Sequence, residues 1–122
     1  VFLKAMIPNL YSESSKVRLK REMDAHLTMA LKTSSESMVA YYQAMINRPE
    51  RISVLENTKL PVQFVIGTED NAIPLAQSLK QCSIPLNSQI DILQGIGHSS
   101  MIEAPDQLEL KVNSFCKYVL EL

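Results

Sequence analysis

The sequence predicts an α/β fold, in which a helical first half precedes a βαβα unit with two parallel strands. Three observations predict it. Up to about Asn57 the chain is rich in Leu, Ala, Met, Lys, Glu and Arg, residues that favour helix, and it holds five of the six methionines. Beyond Pro61 come two short β-branched runs, Val62–Ile66 ending at Gly67 and Gln89–Leu93 stopped by Gly95 and Gly97. Pro74 and Pro105 then stand where the helix after each run would begin, and proline suits a first helical turn.

Residues 15–31 carry Val17, Met23, Leu27, Ala30 and Leu31 near the helical repeat, with Lys16, Arg18, Lys20, Arg21, Glu22 and Asp24 turned elsewhere. One amphipathic helix is expected there. Thr33 precedes Glu36 by the capping-box spacing and opens a second helix through Met38, Tyr41, Tyr42, Met45 and Ile46, which Pro49 interrupts. A short helical turn is expected at 49–55. The composition shifts between Asn57 and Pro61, the boundary between the halves. In the second half, Leu75, Leu79 and Cys82 mark a helix that Pro85 and Asn87 break. The last helix starts at Pro105 and repeats Leu108, Val112, Phe115 and Val119 along one side. Two parallel strands leave edges unpaired, so neighbouring strands are expected to lie outside this sequence.

The 122 residues are enough for one small domain, and 46% hydrophobic with 20% charged residues describes a chain that folds rather than a low-complexity or disordered one. Twelve Lys and Arg against thirteen Asp and Glu leave a net charge of −1, without the basic surplus that neutralises phosphates. No nucleic-acid partner is expected. No apolar run approaches the roughly 20 residues needed to cross a bilayer, so no membrane span is expected. Cys82 and Cys116 are too few for a disulfide framework and lack metal-ligand spacing. Both read as small buried residues in a reducing, cytoplasmic setting. The start at Val1, without Met or a leader segment, reads as a cut end.

Two loops carry the residues suited to chemistry. The first, Gly67-Thr68-Glu69-Asp70-Asn71-Ala72-Ile73-Pro74, releases a carboxylate just past a strand, the end at which open α/β sheets bind ligands. Asp70 is the candidate and Glu69 its rival. Asp70 also fits a purely structural role, closing the turn before the helix. The second loop, Gly95-Ile96-Gly97-His98-Ser99-Ser100, releases His98 from the next strand at the same end. A carboxylate on Nδ1 would fix the imidazole tautomer and leave Nε2 free to take a proton. The other histidine, His26, lies on a helix with no His or Cys at ligand spacing and reads as a surface or flank residue.

These stretches resemble the C-terminal part of the α/β-hydrolase superfamily. The pattern P-V-x-x-I-x-G-x-x-D-x-x-I-P runs from Pro61 to Pro74 with Val65 at its first isoleucine position, and G-H-x-x-x-x-E-x-P is met from Gly97 to Pro105. The resemblance implies that Asp70 is the acid and His98 the base of a catalytic triad, with no metal or cofactor. It also implies that residues 1–58 form a helical cap and residues 59–122 the C-terminal βαβα part of the core. Met6-Ile7-Pro8-Asn9-Leu10 and Arg48-Pro49 carry the cap resemblance. The family's nucleophile elbow, G-x-S-x-G, is missing, since the three glycines are Gly67, Gly95 and Gly97.

The expected function is therefore that of a C-terminal fragment of a hydrolase acting on an ester or related acyl bond of a small molecule. The chain alone is expected to be inactive, and either to associate with itself or to pair with the missing half. The alternative is a non-catalytic protein-interaction module derived from that fold, with Asp70 and His98 as relics.

Overall fold

The computed structural model describes residues 2–121. Five helices come first: α1 Phe2–Asn9, α2 Glu13–Arg18, α3 Lys20–Ala30, α4 Ser35–Asn47 and α5 Ile52–Asn57. Strand β1 (Val62–Gly67), helix α6 (Leu75–Cys82), strand β2 (Ser88–Leu93), the short α7 (Ser100–Glu103) and α8 (Pro105–Leu120) follow. The strands pair in parallel, Val62 opposite Ser88 through Gly67 opposite Leu93. The α/β class, the parallel strands and the βαβα order are those expected, with α7 an added turn ahead of the last helix.

The expected single helix over 15–31 is two helices. Ser12 caps α2 by accepting from the Ser15 N–H, and the chain breaks at Leu19, with φ −114° and ψ 33°. The break lets α3 turn back against α1. It also upsets the apolar stripe, for Val17 is 84% exposed and Leu31 is exposed, while Met23, Leu27 and Ala30 are half-buried. At α4 the cap is Ser34 rather than Thr33, its hydroxyl taking the Ser37 N–H at 3.1 Å. Arg48 is extended at φ −62° and ψ 121°, as a residue before proline must be, and ends α4 ahead of Pro49. The next helical turn begins at Ile52, later than expected.

The core is small. Leu93, Ile96 and Ala104 form a buried cluster against which Val65 packs, and it lies directly beneath the carboxyl ends of the strands. In β2 the side chains alternate: Asp91 and Leu93 are buried, while Ile90 and Ile92 remain 46% and 49% exposed on the other face. Asp91 accepts from Gln63 Nε2 at 3.0 Å and Gln89 Nε2 at 2.8 Å and meets Lys111 Nζ at 3.2 Å, joining both strands to α8. Burial alone would raise the Asp91 carboxyl, but these hydrogen bonds and the Lys111 charge outweigh it and hold the group below its ordinary range. Cys82 is buried as expected, its thiol pushed up by that burial, whereas Cys116 is exposed on α8. Helix α8 packs on the sheet along one side only, and Cys116 lies off that side. No helix among the described residues is long and apolar enough to cross a membrane.

Candidate active site

Parallel pairing brings the two chemically equipped loops together. Because Gly67 lies opposite Leu93, the chain leaves both strands at the same level. The loops are then stitched to each other: Thr68 N–H donates to Leu93 O at 3.1 Å, Glu69 N–H to Ile96 O at 2.9 Å, and Gly95 N–H to Thr68 Oγ1 at 2.8 Å. Gly95 has φ 72°, the left-handed conformation that glycine adopts without penalty, and it reverses the chain toward His98.

Asp70 serves both the turn and the imidazole. Its Oδ1 accepts the N–H groups of Ala72 and Ile73, each at 2.8 Å, while Oδ2 lies 2.8 Å from His98 Nδ1. Since a carboxylate accepts, Nδ1 carries the proton in this pair and the lone pair of the neutral ring belongs to Nε2. Among the described residues Nε2 has no hydrogen-bond partner, and the His98 side chain is 40% exposed against 12% for Asp70. The arrangement fixes the imidazole through Nδ1 and leaves Nε2 open. Glu69, the rival carboxylate, turns the other way and accepts the Glu13 N–H at 3.3 Å.

An apolar cavity of about 580 Å³ adjoins His98, lined by Leu10, Ala25, His26, Met29, Met101 and Ile102 among others. His26 is thus not a free surface histidine. Its Nδ1 shares a 2.9 Å hydrogen bond with the hydroxyl of Tyr11, which is wholly buried. Burial pushes the Tyr11 phenol upward, a hydrogen bond with Ser99 opposes this in part, and the charges of Glu103 and Glu22 push upward again. The sequence signals alone did not reach this pair, because nothing local marks Tyr11 and His26 as neighbours. Ser99 is buried and Ser100 half-buried within the loop. Among the described residues no three His, Cys, Asp or Glu side chains gather as a metal site would require.

No family model matches the chain. Over 80 residues it is 28% identical to epoxide hydrolase EphH of Mycobacterium tuberculosis, a stretch covering 62% of this chain and 37% of that protein. Among solved structures, a thermophilic esterase from Thermogutta terrifontis matches 97% of this chain with a TM-score of 0.91 at 21% identity. MGS-M2, an α/β hydrolase from a Medee basin deep-sea metagenome library, matches 92% with a TM-score of 0.80, also at 21% identity. A serine hydrolase involved in carbazole degradation, the CarC enzyme, matches 95% with a TM-score of 0.72 at 19% identity. The chain spans 43%, 42% and 46% of those three structures. With between 92% and 97% of its length matched in these three structures, this chain has the fold of the C-terminal part of an α/β hydrolase.

Proposed function

We propose that this chain supplies the acid and the base of a hydrolytic triad, Asp70 and His98, to an α/β hydrolase whose nucleophile lies outside it. The observation that carries the reading is the 2.8 Å contact between Asp70 Oδ2 and His98 Nδ1 at the carboxyl ends of neighbouring parallel strands. In the complete enzyme, His98 Nε2 takes the proton of an attacking hydroxyl and later delivers it to the leaving group. Asp70 holds the ring in the tautomer that does so and stabilises the imidazolium that forms. Residues 1–58 act as a cap over the site and residues 59–122 as the end of the core. The substrate is a small molecule with an ester or related acyl bond, its apolar portion lodged in the cavity beside His98.

The similarity to an epoxide hydrolase favours a second reading, in which the same pair activates water in epoxide opening. Assay of the full-length protein against short-chain esters and small epoxides separates the two readings. Saturable ester turnover that His98→Ala abolishes is the expected result. Turnover of epoxides alone would establish the second reading. Turnover of neither, together with tight capture of another chain, would favour an interaction module.

A further inference from the structure

The loop bearing His98 is held from beneath by one buried carboxylate. Glu103 is 2% exposed. Its two oxygens accept the Gly97 N–H at 3.1 Å each, Oε1 accepts the Ser99 N–H at 3.2 Å, and Oε2 accepts the Ser12 N–H at 3.0 Å. The Leu10 carbonyl takes the N–H groups of His98 at 2.9 Å and of Ser99 at 3.1 Å, and Arg18 Nη2 donates to the Glu103 carbonyl at 2.9 Å. The backbone N–H groups of residues 97, 98 and 99 therefore all have acceptors, on Glu103 or on Leu10. Such groups have no strand to pair with in a loop and would be costly to bury unpaired. A carboxylate meets the need because both of its oxygens accept, and bonds from N–H groups to a charged acceptor are the stronger kind. The same carboxylate spans 91 residues of sequence to reach Ser12. It thereby joins the His98 loop to the turn between α1 and α2.

We infer that Glu103 is the positioning residue for His98, fixing the loop so that Nδ1 meets Asp70 and tying that geometry to the Tyr11–Ser12 turn of the helical half. The inference rests on the reading of His98 as the base. Glu103 touches no reacting group and acts through the backbone on either side of the imidazole. A glutamine in its place keeps one acceptor for Gly97 and Ser99 but turns a donor toward the Ser12 N–H, so it separates the loop contact from the cap contact. Alanine removes both.

The test is nuclear magnetic resonance of the full-length protein, reading the low-field proton on His98 Nδ1 and the amide exchange of Ser12, Gly97 and Ser99. The unsubstituted protein is expected to show the low-field proton, and its absence would overturn the Asp70–His98 pairing and with it the proposed function. In Glu103→Ala the proton is expected to disappear into solvent exchange while Val65 and Ile92 amides in the strands stay protected. A folded Glu103→Ala protein that keeps the low-field proton would overturn this inference and leave the pairing intact. In Glu103→Gln the proton is expected to persist while Ser12 exchanges at least about tenfold faster, the mark of a locally opened turn. Where alanine prevents folding, the glutamine variant decides: unchanged Ser12 exchange, or loss of the low-field proton along with it, would overturn the inference.

Discussion

A side chain on Gly67 would stand 2.4 Å from the carbonyl oxygen of Gly97 and 2.3 Å from that of Ile96, so the loops carrying Asp70 and His98 meet backbone to backbone. Gly97 is equally confined on its far side, where a Cβ would lie 2.7 Å from Ser12 N and 2.9 Å from Glu103 Oε1. Real Cβ atoms do not approach backbone so closely, and backbone has no rotamer with which to yield. Gly67→Ala and Gly97→Ala are each expected to lower stability by about 1–3 kcal/mol through forced backbone shifts. Urea unfolding of each variant beside the unsubstituted chain measures this. Unchanged midpoints would mean that the two loops lie farther apart than described.

Asp70→Asn separates the two tasks of that carboxylate. The asparagine oxygen can still accept from Ala72 and Ile73, while its amide group presents a donor to His98 Nδ1 and imposes the wrong tautomer. In the full-length protein the variant is expected to fold normally and lose about 10²–10⁴-fold in kcat, the range for a misdirected general base. Circular dichroism checks the fold and steady-state kinetics the loss. Retained activity would mean that His98 needs no such partner.

Asp91 predicts an acid limb of stability. Its carboxyl is held below its ordinary value of 3.8 in the folded chain, so its contribution is fully present above that value and is lost as pH falls through the folded one. Asp91→Asn is expected to destabilise the chain near neutral pH, with the difference from the unsubstituted chain shrinking under acid conditions. Unfolding measured at several pH values tests the sign. A gap that widens in acid would contradict it.

The chain by itself is expected to show no ester turnover above background, because it contains no serine in a G-x-S-x-G elbow. A purified sample of verified mass, assayed with a chromogenic short-chain ester, provides the check. Saturable activity abolished by His98→Ala would direct attention to Ser99 or Ser100 as the attacking group.

Association is the last expectation. Among the described residues the sheet has two strands, and Ile90 and Ile92 leave one of its faces about half exposed. Unpaired strand edges and uncovered apolar faces favour pairing with another chain. Light scattering after size exclusion at micromolar concentration is expected to find dimers or larger species. A stable monomer that unfolds cooperatively would mean that the helical half stabilises the sheet without help.

The strands and the helices that follow them were legible in the sequence because their signals are local. Val62–Ile66 and Gln89–Leu93 are β-branched runs closed by glycine, and Pro74 and Pro105 mark helix starts through constraints that act within a residue or two. Asp70 and His98 were legible as a pair for the same reason, since each follows its strand at a short fixed distance and parallel pairing levels the two ends. Only the tertiary structure shows which carboxylate meets His98, for Asp70 turns toward it while Glu69 turns toward the distant Glu13 amide. Helix periodicity joined residues 15–31 into one element, but the chain breaks at Leu19 and α3 packs back on α1. Cys116 looked buried by residue type and proved exposed, because burial depends on what covers a helix face. Glu103 stood in the sequence as the glutamate of the G-H-x-x-x-x-E-x-P pattern, with no role attached to it. Its partners, Ser12 on one side and Gly97 and Ser99 on the other, are brought to it by folding, and no local propensity carries information across 91 residues.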